Sequence, residues 1–415
     1  MKLKCYTTLL LLFLINGTGF AQDIVPTDTT KVSILRIDPS NAMGGNVSDV
    51  FSLVNYIPLE TTSESIFGNI SQLEILNGYY IILDYDKNAI FIFTLNGKYH
   101  SKIQGKPHSP IYKFLINKWT NQIIYTSDNY RTVTYCDLNG KVIKTEKNMS
   151  SNGIPNIYLN SHFISEDQLL SYDQYRNIDS TSKYFTSYTR SLLRFGNPIH
   201  AIGMPYSQQY AKIDILSTTV GPLTTFGNDT VFLFAKPYSY DLYFVSPHCI
   251  KQVYKLVFPQ ASSLPADFLT NSEYDFKRID FIQKNPEMIF ALNNCYLLGN
   301  NLLFEASSYK ARQDDNILYN LESGNVIAIK HILPDSLSYN LPIIDLVSAN
   351  FENIGFAYCD GSYIYTSLSS LCLFQTRDAN GINQKTMPEI LQSYFKKGTS
   401  KDNPVIVQLK LKANL

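Results

Sequence analysis

The chain is poor in cysteine, tryptophan and charge, and the scarcity of cysteine and of charge each excludes a class of protein. It has 415 residues, of which six are cysteine and one is tryptophan, and no Cys-x-x-Cys pair occurs. Zinc-ribbon and thioredoxin-like motifs are therefore excluded. Charged residues make up 17%, with 35 basic and 35 acidic side chains, so no basic surface for nucleic acid is expected. We expect a small molecule, a glycan or a protein as partner.

Long apolar runs are missing beyond the first 21 residues, which have the pattern of a signal peptide. Lys2 and Lys4 precede an apolar segment at 9–15, and Ala21 is a small residue suited to cleavage before Gln22. The apolar segment is too short to span a bilayer. No cysteine directly follows Ala21, so we expect a signal peptidase I substrate rather than a lipoprotein. The mature chain should be periplasmic or extracellular, without an integral membrane segment.

The remaining cysteines are isolated and odd in number. Export would permit disulfides, and Cys359 and Cys372 are the nearest pair in sequence. Irregular spacing is more typical of small buried hydrophobic side chains.

A repeat at 79–102 and 122–145 is the strongest structural signal. Leu95-Asn96-Gly97-Lys98 recurs identically 43 positions later as residues 138–141, and β-branched and aromatic segments flank both copies. Asn77-Gly78 is a two-residue hairpin signal between the first two strands of the unit. Four strands within a period of about 40–50 residues are typical of a β-propeller blade.

The repeat and its weaker copies predict an all-β fold with four-stranded antiparallel blades. Looser units follow at about 156–203, with separate strands at 184–188 and 191–195, and then at 222–260 and 295–332. An insert at 261–290 has helical spacing. A short C-terminal helix near 387–395 precedes a strand at 405–411, which should close the ring by pairing with an N-terminal strand. The expected parts are a signal peptide (1–21), an N-terminal segment with a closing strand (22–50) and the propeller (51–415).

Motifs at both ends resemble a family of exported six-bladed β-propeller proteins from Gram-negative gut anaerobes, with NHL-like blades. The sequence YIPLET at 56–61, the Phe-x-x-x-Gly-Lys pattern at 93–98, the segment at 253–258 and the NPVIV sequence at 403–407 carry the resemblance, which covers about 31–412. It implies six blades and export but no reaction, because the family has no established activity. The loop at 105–112 departs from the family pattern by lacking one glycine and a glutamate.

Candidate chemistry is sparse. The residues Asp84, Asp86 and Asn88 alternate as calcium ligands do, but Ala89 and Leu95 stand where an EF-hand needs Gly and Glu. A turn in which the Asp and Asn side chains bond their own backbone explains them better, because the second copy of the repeat has Ser127 in place of Asp84. No cofactor and no metal site is therefore predicted, with calcium as the one metal that the sequence would admit.

Two rim loops are the predicted ligand sites. His108 and Tyr112 lie in the loop that joins the first two blades, and Asp173 and Arg176 lie in a loop of the third blade. Loops placed by a rigid scaffold commonly bind ligands. No catalytic residue is identified, because nucleophile-elbow, P-loop and paired-histidine motifs are absent.

The sequence therefore predicts an exported propeller that binds a ligand at its central channel or rim loops. A channel-centred hydrolase or lyase, with or without a metal, is the alternative and would need His and Asp or Glu side chains converging at the channel. A sugar-associated surface protein would need exposed tyrosines or Trp119 on a rim. Whether the protein is an enzyme is left open.

Overall fold

A computed structural model describes most of the residues after position 22. These are 23–149, 160–172, 187–193, 199–205, 223–226, 228–310, 316–345, 347, 356, 358–380, 382, 384–413 and 415.

The described residues form short strands, helices and 3₁₀ turns. The strands before the repeat are β1 (Asp23–Val25), β2 (Thr27–Asp28), β3 (Ser33–Arg36), β4 (Met43–Asn46) and β5 (Phe51–Pro58). The two copies of the repeat contain β6 (Gln72–Leu76), β7 (Tyr79–Asp84), β8 (Ala89–Thr94), β9 (Tyr99–Gln104), β10 (Phe114–Asn117), β11 (Gln122–Ser127), β12 (Thr132–Cys136) and β13 (Val142–Lys147).

The strands after the repeat continue the same plan. They are β14 (Ser161–Phe163), β15 (Gln168–Tyr172), β16 (Ser187–Leu193), β17 (Ile199–Pro205), β18 (Leu223–Phe226), β19 (Asn228–Ala235), β20 (Asp241–Ser246), β21 (Cys249–Val257), β22 (Ala291–Leu298), β23 (Asn301–Ser307), β24 (Asn316–Asn320), β25 (Val326–Leu333), β26 (Tyr358–Cys359), β27 (Ile364–Leu368) and β28 (Val405–Leu411).

The helices are few and short. The α-helices are α1 (Val47–Val50), α2 (Arg278–Lys284), α3 (Ser370–Asn380) and α4 (Glu389–Lys397), and the 3₁₀ turns are Pro39–Asn41, Gln260–Ser262, Ser272–Tyr274, Ser336–Ser338 and Gln384–Thr386. Within the described part of the chain, no helix is long and apolar enough to cross a membrane.

The described strands form six small sheets arranged as in a β-propeller. Each sheet is built on four antiparallel strands, and in five of the sheets these follow one another in the chain: β6–β9, β10–β13, β14–β17, β18–β21 and β22–β25. The remaining sheet has the order β26-β27-β28-β5. The all-β propeller prediction is confirmed.

Both faces of a sheet are buried against neighbouring sheets. In β7 and β8, Ile82 and Phe91 pack with Ile406 of the sheet that holds β28. The alternate residues Ile81 and Ile90 pack on the other face, toward the β10–β13 sheet. Because successive side chains of a strand point to opposite faces, burial of both faces requires continuous apolar runs. The runs at 81–83 and 90–93 meet that requirement.

The two ends of the propeller meet in one sheet. Strand β28 pairs antiparallel with β27 on one side and with β5 on the other, with Ile406 opposite Ile57 and Gln408 opposite Asn55. This pairing covers an edge that would otherwise expose unpaired backbone groups. The predicted C-terminal closing strand is confirmed.

The closing partner differs from the predicted one. Strand β3, inside the 22–50 segment, pairs parallel with β21 instead of with β28, and β5 supplies the closing strand. We call residues 23–46 the N-terminal strap. It adds β1 to β17, β2 and β3 to β21, and β4 to β25, always in parallel. The strap therefore covers exposed outer edges of three sheets, which alternation along a single strand cannot reveal.

One further prediction of secondary structure needs correction, and one helix was missed. The described residues of the two strands expected at 184–188 and 191–195 belong to one strand, β16, which carries a register shift between Ser191 and Leu192. Helix α3 was not predicted. It buries Cys372, Leu373 and Phe374 consecutively, so its sequence lacks the helical spacing that identifies α4.

The five cysteines beyond the first 21 residues are free thiols, and Cys249 alone among them is exposed.

Asn403 fastens the closed ring. Its side chain, fully buried, donates to the carbonyl oxygens of Glu60 and Ser65 at 2.9 Å each and accepts from the Phe67 amide at 2.9 Å. One side chain thus satisfies three backbone groups of the segment that follows β5.

We predict that Asn403→Ala lowers the free energy of unfolding by about 2–4 kcal/mol, because three buried backbone groups lose their partner. Denaturant unfolding followed by circular dichroism measures the change. Asn300→Ala, at an exposed hairpin, is the control and should cost well under half as much. Equal costs for the two variants would show that Asn403 is not a fastening residue.

The repeated Asn-Gly turn has a packing reason as well as a conformational one. Gly97 and Gly140 have φ of +80° and +77°, which favours glycine. A Cβ at Gly140 would lie 2.6 Å from the Lys102 carbonyl oxygen of the preceding sheet, and one at Gly97 would meet the Pro58 carbonyl oxygen. The identical turns therefore lie where neighbouring sheets approach most closely.

We predict that Gly140→Ala costs about 2–4 kcal/mol of unfolding free energy, from strained backbone plus the inter-sheet clash. Gly78 is the matched control, since its φ is +81° but a Cβ at this position would meet no described atom within 4 Å. Gly78→Ala should cost about 1 kcal/mol. Chemical denaturation of both variants separates strain from the clash, and equal costs would mean that the inter-sheet contact is unimportant.

Candidate functional site

One cavity lies where the first strands of all six sheets converge. It encloses about 330 Å³, and residues of β6, β10, β14, β18, β22 and β26, or directly beside them, line it. The first strand of each sheet faces the propeller axis, so this cavity is the central channel. Its position follows from the fold, and its chemistry follows from the side chains described next.

Glu74 is an acidic side chain in the wall of the channel. It projects from β6, between the apolar positions Leu73 and Ile75, and accepts a hydrogen bond of 3.3 Å from Gln72. Desolvation raises the pKa of Glu74 to about 7, against the opposing effects of Gln72 and the Lys113 charge. The group can therefore gain or lose a proton near neutral pH.

Lys113 supplies the opposite charge from the neighbouring sheet. It directly precedes β10, and its Nζ donates to Asn160 Oδ1 at 2.9 Å. Burial lowers the pKa of Lys113, while the Glu74 charge opposes that effect. Lys113 is half-buried, so its ammonium group is partly withdrawn from bulk water.

Gln72 joins strand β6, which carries Glu74, to strand β10, which Lys113 directly precedes. Its Nε2 donates to the Phe114 carbonyl oxygen at 2.9 Å, and its Oε1 accepts from the Phe114 amide at 3.1 Å. The same Nε2 reaches Glu74. The side-chain amide of Gln72 thus bonds the backbone of Phe114 as a neighbouring strand would. This contact places Glu74 and Lys113 on adjacent walls of the cavity.

His162 lines the same cavity as a neutral ring. It lies in β14 with its ring centroid 5.0 Å from that of Phe232. Desolvation, with the charge of Lys113 adding to it, lowers the pKa of His162 to about 4. At neutral pH the ring therefore carries no charge and can donate or accept hydrogen bonds.

Phenol and thiol groups complete the wall. Burial raises the pKa of Tyr296 and Tyr358 well above the usual value, and it raises the pKa of Cys359 to about 12. All three groups stay protonated at physiological pH. They offer hydrogen-bonding groups and apolar surface to a ligand but no charge and no thiolate nucleophile.

Asp360 is a fixed carboxylate at the same cavity. Its Oδ1 accepts from the amides of Ser362 and Tyr363 at 2.8 and 2.7 Å, and its Oδ2 accepts from the Tyr365 hydroxyl at 2.7 Å. Gln408 donates to that hydroxyl at 2.9 Å and accepts from Asn55 at 3.0 Å. A hydrogen-bonded chain thus crosses the closing sheet from β5 to the channel.

Two of the predicted rim residues, His108 and Tyr112, lie outside the described lining of the cavity. His108 is exposed, with φ of +59°, in the loop between the first two repeat sheets. Tyr112 is stacked between Tyr85 and Tyr130, with centroid distances of 5.7 and 5.3 Å. Asp173 and Arg176 lie outside the described residues. The role of these four positions in ligand binding stays a prediction.

The segment considered for calcium forms a hydrogen-bonded turn. Asp84 is buried, its Oδ2 accepts from the amides of Gly68 and Asn69, and its Oδ1 accepts from the Lys87 amide. Both oxygens therefore already stabilise backbone. Across the described ranges, no three or more His, Cys, Asp or Glu side chains gather in a way that could hold a metal ion.

Sequence reasoning missed Glu74 and Lys113, although it named Tyr112 beside one of them. The available signal was a single charged side chain in or next to the first strand of each repeat, as in Gln72-Leu73-Glu74-Ile75-Leu76. First strands line the axis of a propeller, so a charge there faces the channel. That inference needs the strand order, which the repeat alone does not provide.

Comparison with known proteins places the chain in a family. The family model described as "Domain of unknown function (DUF4934)" matches residues 34–410. The chain belongs to the DUF4934 family. The family match gives no information on NHL-like repeats, so these stay a prediction from the sequence. No curated protein matches the chain.

Solved structures resemble the DUF4934 chain in fold. A "putative exported protein" from Bacteroides fragilis has a TM-score of 0.65 at 16% identity, covering 92% of this chain and 100% of that one. A member of the duf4221 family from Bacteroides vulgatus has a TM-score of 0.48 at 12% identity, covering 88% and 97%. The WD40 β-propeller domain of Doa1 has a TM-score of 0.34 at 11% identity, covering 62% of this chain and 70% of that one. At such identity the first likeness establishes a shared fold alone.

The raised pKa of Glu74 gives a pH-dependent stability. Its ordinary value is 4.5 and its folded value is about 7, so the folded protein binds an extra proton between these limits and loses stability as pH rises through them. Relative to Glu74→Gln, we predict that wild type loses up to about 3 kcal/mol of unfolding free energy across this range, at about 1.4 kcal/mol per pKa unit.

Urea unfolding at a series of pH values measures that difference. Glu287→Gln, in an exposed ion pair with Lys310, is the surface control. Parallel pH profiles for wild type and Glu74→Gln would contradict the desolvation of Glu74.

Proposed function

We propose that this DUF4934 chain is an exported binding module that holds a small polar molecule in its central channel. We further propose that each of its six sheets is one blade of a six-bladed ring. The observation that carries both proposals is that inner strands of all six sheets contribute to one cavity that contains Glu74 and Lys113. Export is supported by the N-terminal pattern and by the description of the B. fragilis relative.

The cost of burying charge supports a ligand role for the cavity. Charged side chains are rarely buried unless something compensates them. Glu74 and Lys113 are half-buried in the wall of the cavity, yet each has a single hydrogen bond to a neutral amide among the described residues. Burial lowers the stability of the free protein, and such a cost is typical of sites that bind ligands.

The size of the cavity supports a small ligand. Its volume of about 330 Å³ is at the lower end of the range of about 300–1,000 Å³ for small-molecule sites. The walls mix aromatic rings with a few polar groups, which is the usual composition of such sites. A glycan chain or a folded protein would have to bind at the rim, where His108 and Tyr112 lie.

A second candidate function is a hydrolase or lyase in the same channel. The pKa of Glu74, near 7, is suited to general acid–base catalysis. In that case Glu74 would exchange a proton with the substrate while Lys113 stabilised negative charge. This alternative needs turnover, whereas the binding module needs only retention of an unchanged ligand.

We predict that Lys113→Met weakens ligand binding in the channel, because the ligand loses its contact with the ammonium group. Purified mature protein would be screened by thermal shift against organic acids, amines, amino acids and neutral sugars. Each compound that raises Tm should lose at least about tenfold in affinity, the loss expected for one charged hydrogen bond. Lys310→Met, which removes an exposed cation, is the matched control and should bind normally.

The outcomes separate the two functions. Recovery of the unchanged compound by mass spectrometry favours the binding module, and its conversion in wild type but not in Glu74→Gln favours the enzyme. Ligands that bind wild type and Lys113→Met with the same affinity would show that the channel is not the site.

A further inference from the structure

We propose that the ligand of the channel is a small zwitterion of the α-amino-acid type, with its ammonium group at Glu74 and its carboxylate at Lys113. This inference rests on the proposed binding function and specifies the ligand class. It follows from two opposite charges that share one cavity without pairing with each other.

Glu74 and Lys113 are close enough to affect each other's charge, yet neither forms an ion pair with any described residue. Glu74 accepts from Gln72 at 3.3 Å, a long hydrogen bond, and Lys113 donates to Asn160 at 2.9 Å. A carboxylate can accept several hydrogen bonds and an ammonium group can donate three. Each group therefore has capacity left for a ligand on the side of the cavity.

A ligand with one charge leaves the other buried charge uncompensated. A carboxylic acid would pair with Lys113 but bring negative charge toward Glu74, and an amine would do the reverse. A neutral sugar would compensate neither group. A molecule with both groups pairs each with its opposite, and desolvated pairs of this kind are strong when both partners are satisfied.

Three uncharged groups and one hydrogen-bonded carboxylate at the cavity are compatible with this arrangement. His162, Tyr296 and Tyr358 are uncharged at neutral pH, so they do not compete for either end of the ligand. Asp360 accepts three hydrogen bonds from its own neighbours. Aromatic residues of β10, β14 and β19 line the same cavity and suit an apolar or aromatic side chain of the ligand.

The test compares each common L-amino acid with its deaminated acid and its decarboxylated amine, by isothermal titration of the full mature chain. We expect at least one amino acid to bind, with both of its analogues weaker by about tenfold or more, since each lacks one charged contact. D-Glucose at millimolar concentration is the neutral probe.

Variants assign the two ends of the ligand. Glu74→Gln should reduce the preference for the amino acid over its deaminated acid, and Lys113→Met should reduce the preference over the amine. Glu287→Gln and Lys310→Met, which remove an exposed ion pair with 57% and 55% side-chain exposure, should leave both preferences unchanged. Circular dichroism checks that each variant is folded.

The outcomes distinguish this inference from the proposed function. If glucose, an acid or an amine binds in a Lys113-dependent way as tightly as any amino acid, the channel is a binding site but the zwitterion inference is wrong. If no compound of any class binds at millimolar concentration, both are wrong. If an amino acid binds with unchanged preference in Glu74→Gln, its ammonium group is not at Glu74.

Discussion

Face-to-face burial of the sheets is the constraint on which the rest of the structure depends. Because each sheet packs on neighbours through both faces, most strand positions must be apolar, as 81–83 and 90–93 are. Polar chemistry is then confined to strand ends, loops and the inner edges at the axis. The convergence of polar groups such as Glu74, Lys113 and His162 on the channel is a consequence of that geometry.

Closing such a ring leaves sheet edges that need partners, and this chain uses both of its ends for them. Strand β28 joins β5 in one sheet, and Asn403 binds the segment that follows β5. The N-terminal strap then covers outer edges of three other sheets in parallel. The strap ends at β4, and α1 joins it directly to β5, the strand that pairs with β28. Loss of the strap should therefore also weaken the closure of the ring.

Much of this fold is predictable from sequence, and the part that is not has a physical reason. The repeat around Gly97 and Gly140 encodes local hairpins and a close approach between sheets, so it is visible in one chain. The parallel pairing of β3 with β21 joins residues far apart in sequence, and no alternation within β3 encodes its partner. Glu74 and Lys113 are informative only once β6 and β10 are known to face the axis.

Packing of the sheets does not require the charges of the channel, since apolar side chains in place of Glu74 and Lys113 would avoid the cost of their desolvation. On the proposed binding function, a ligand that compensates both charges would return that cost as binding free energy. A change in the identity of the two charges would then alter the ligand without altering the ring.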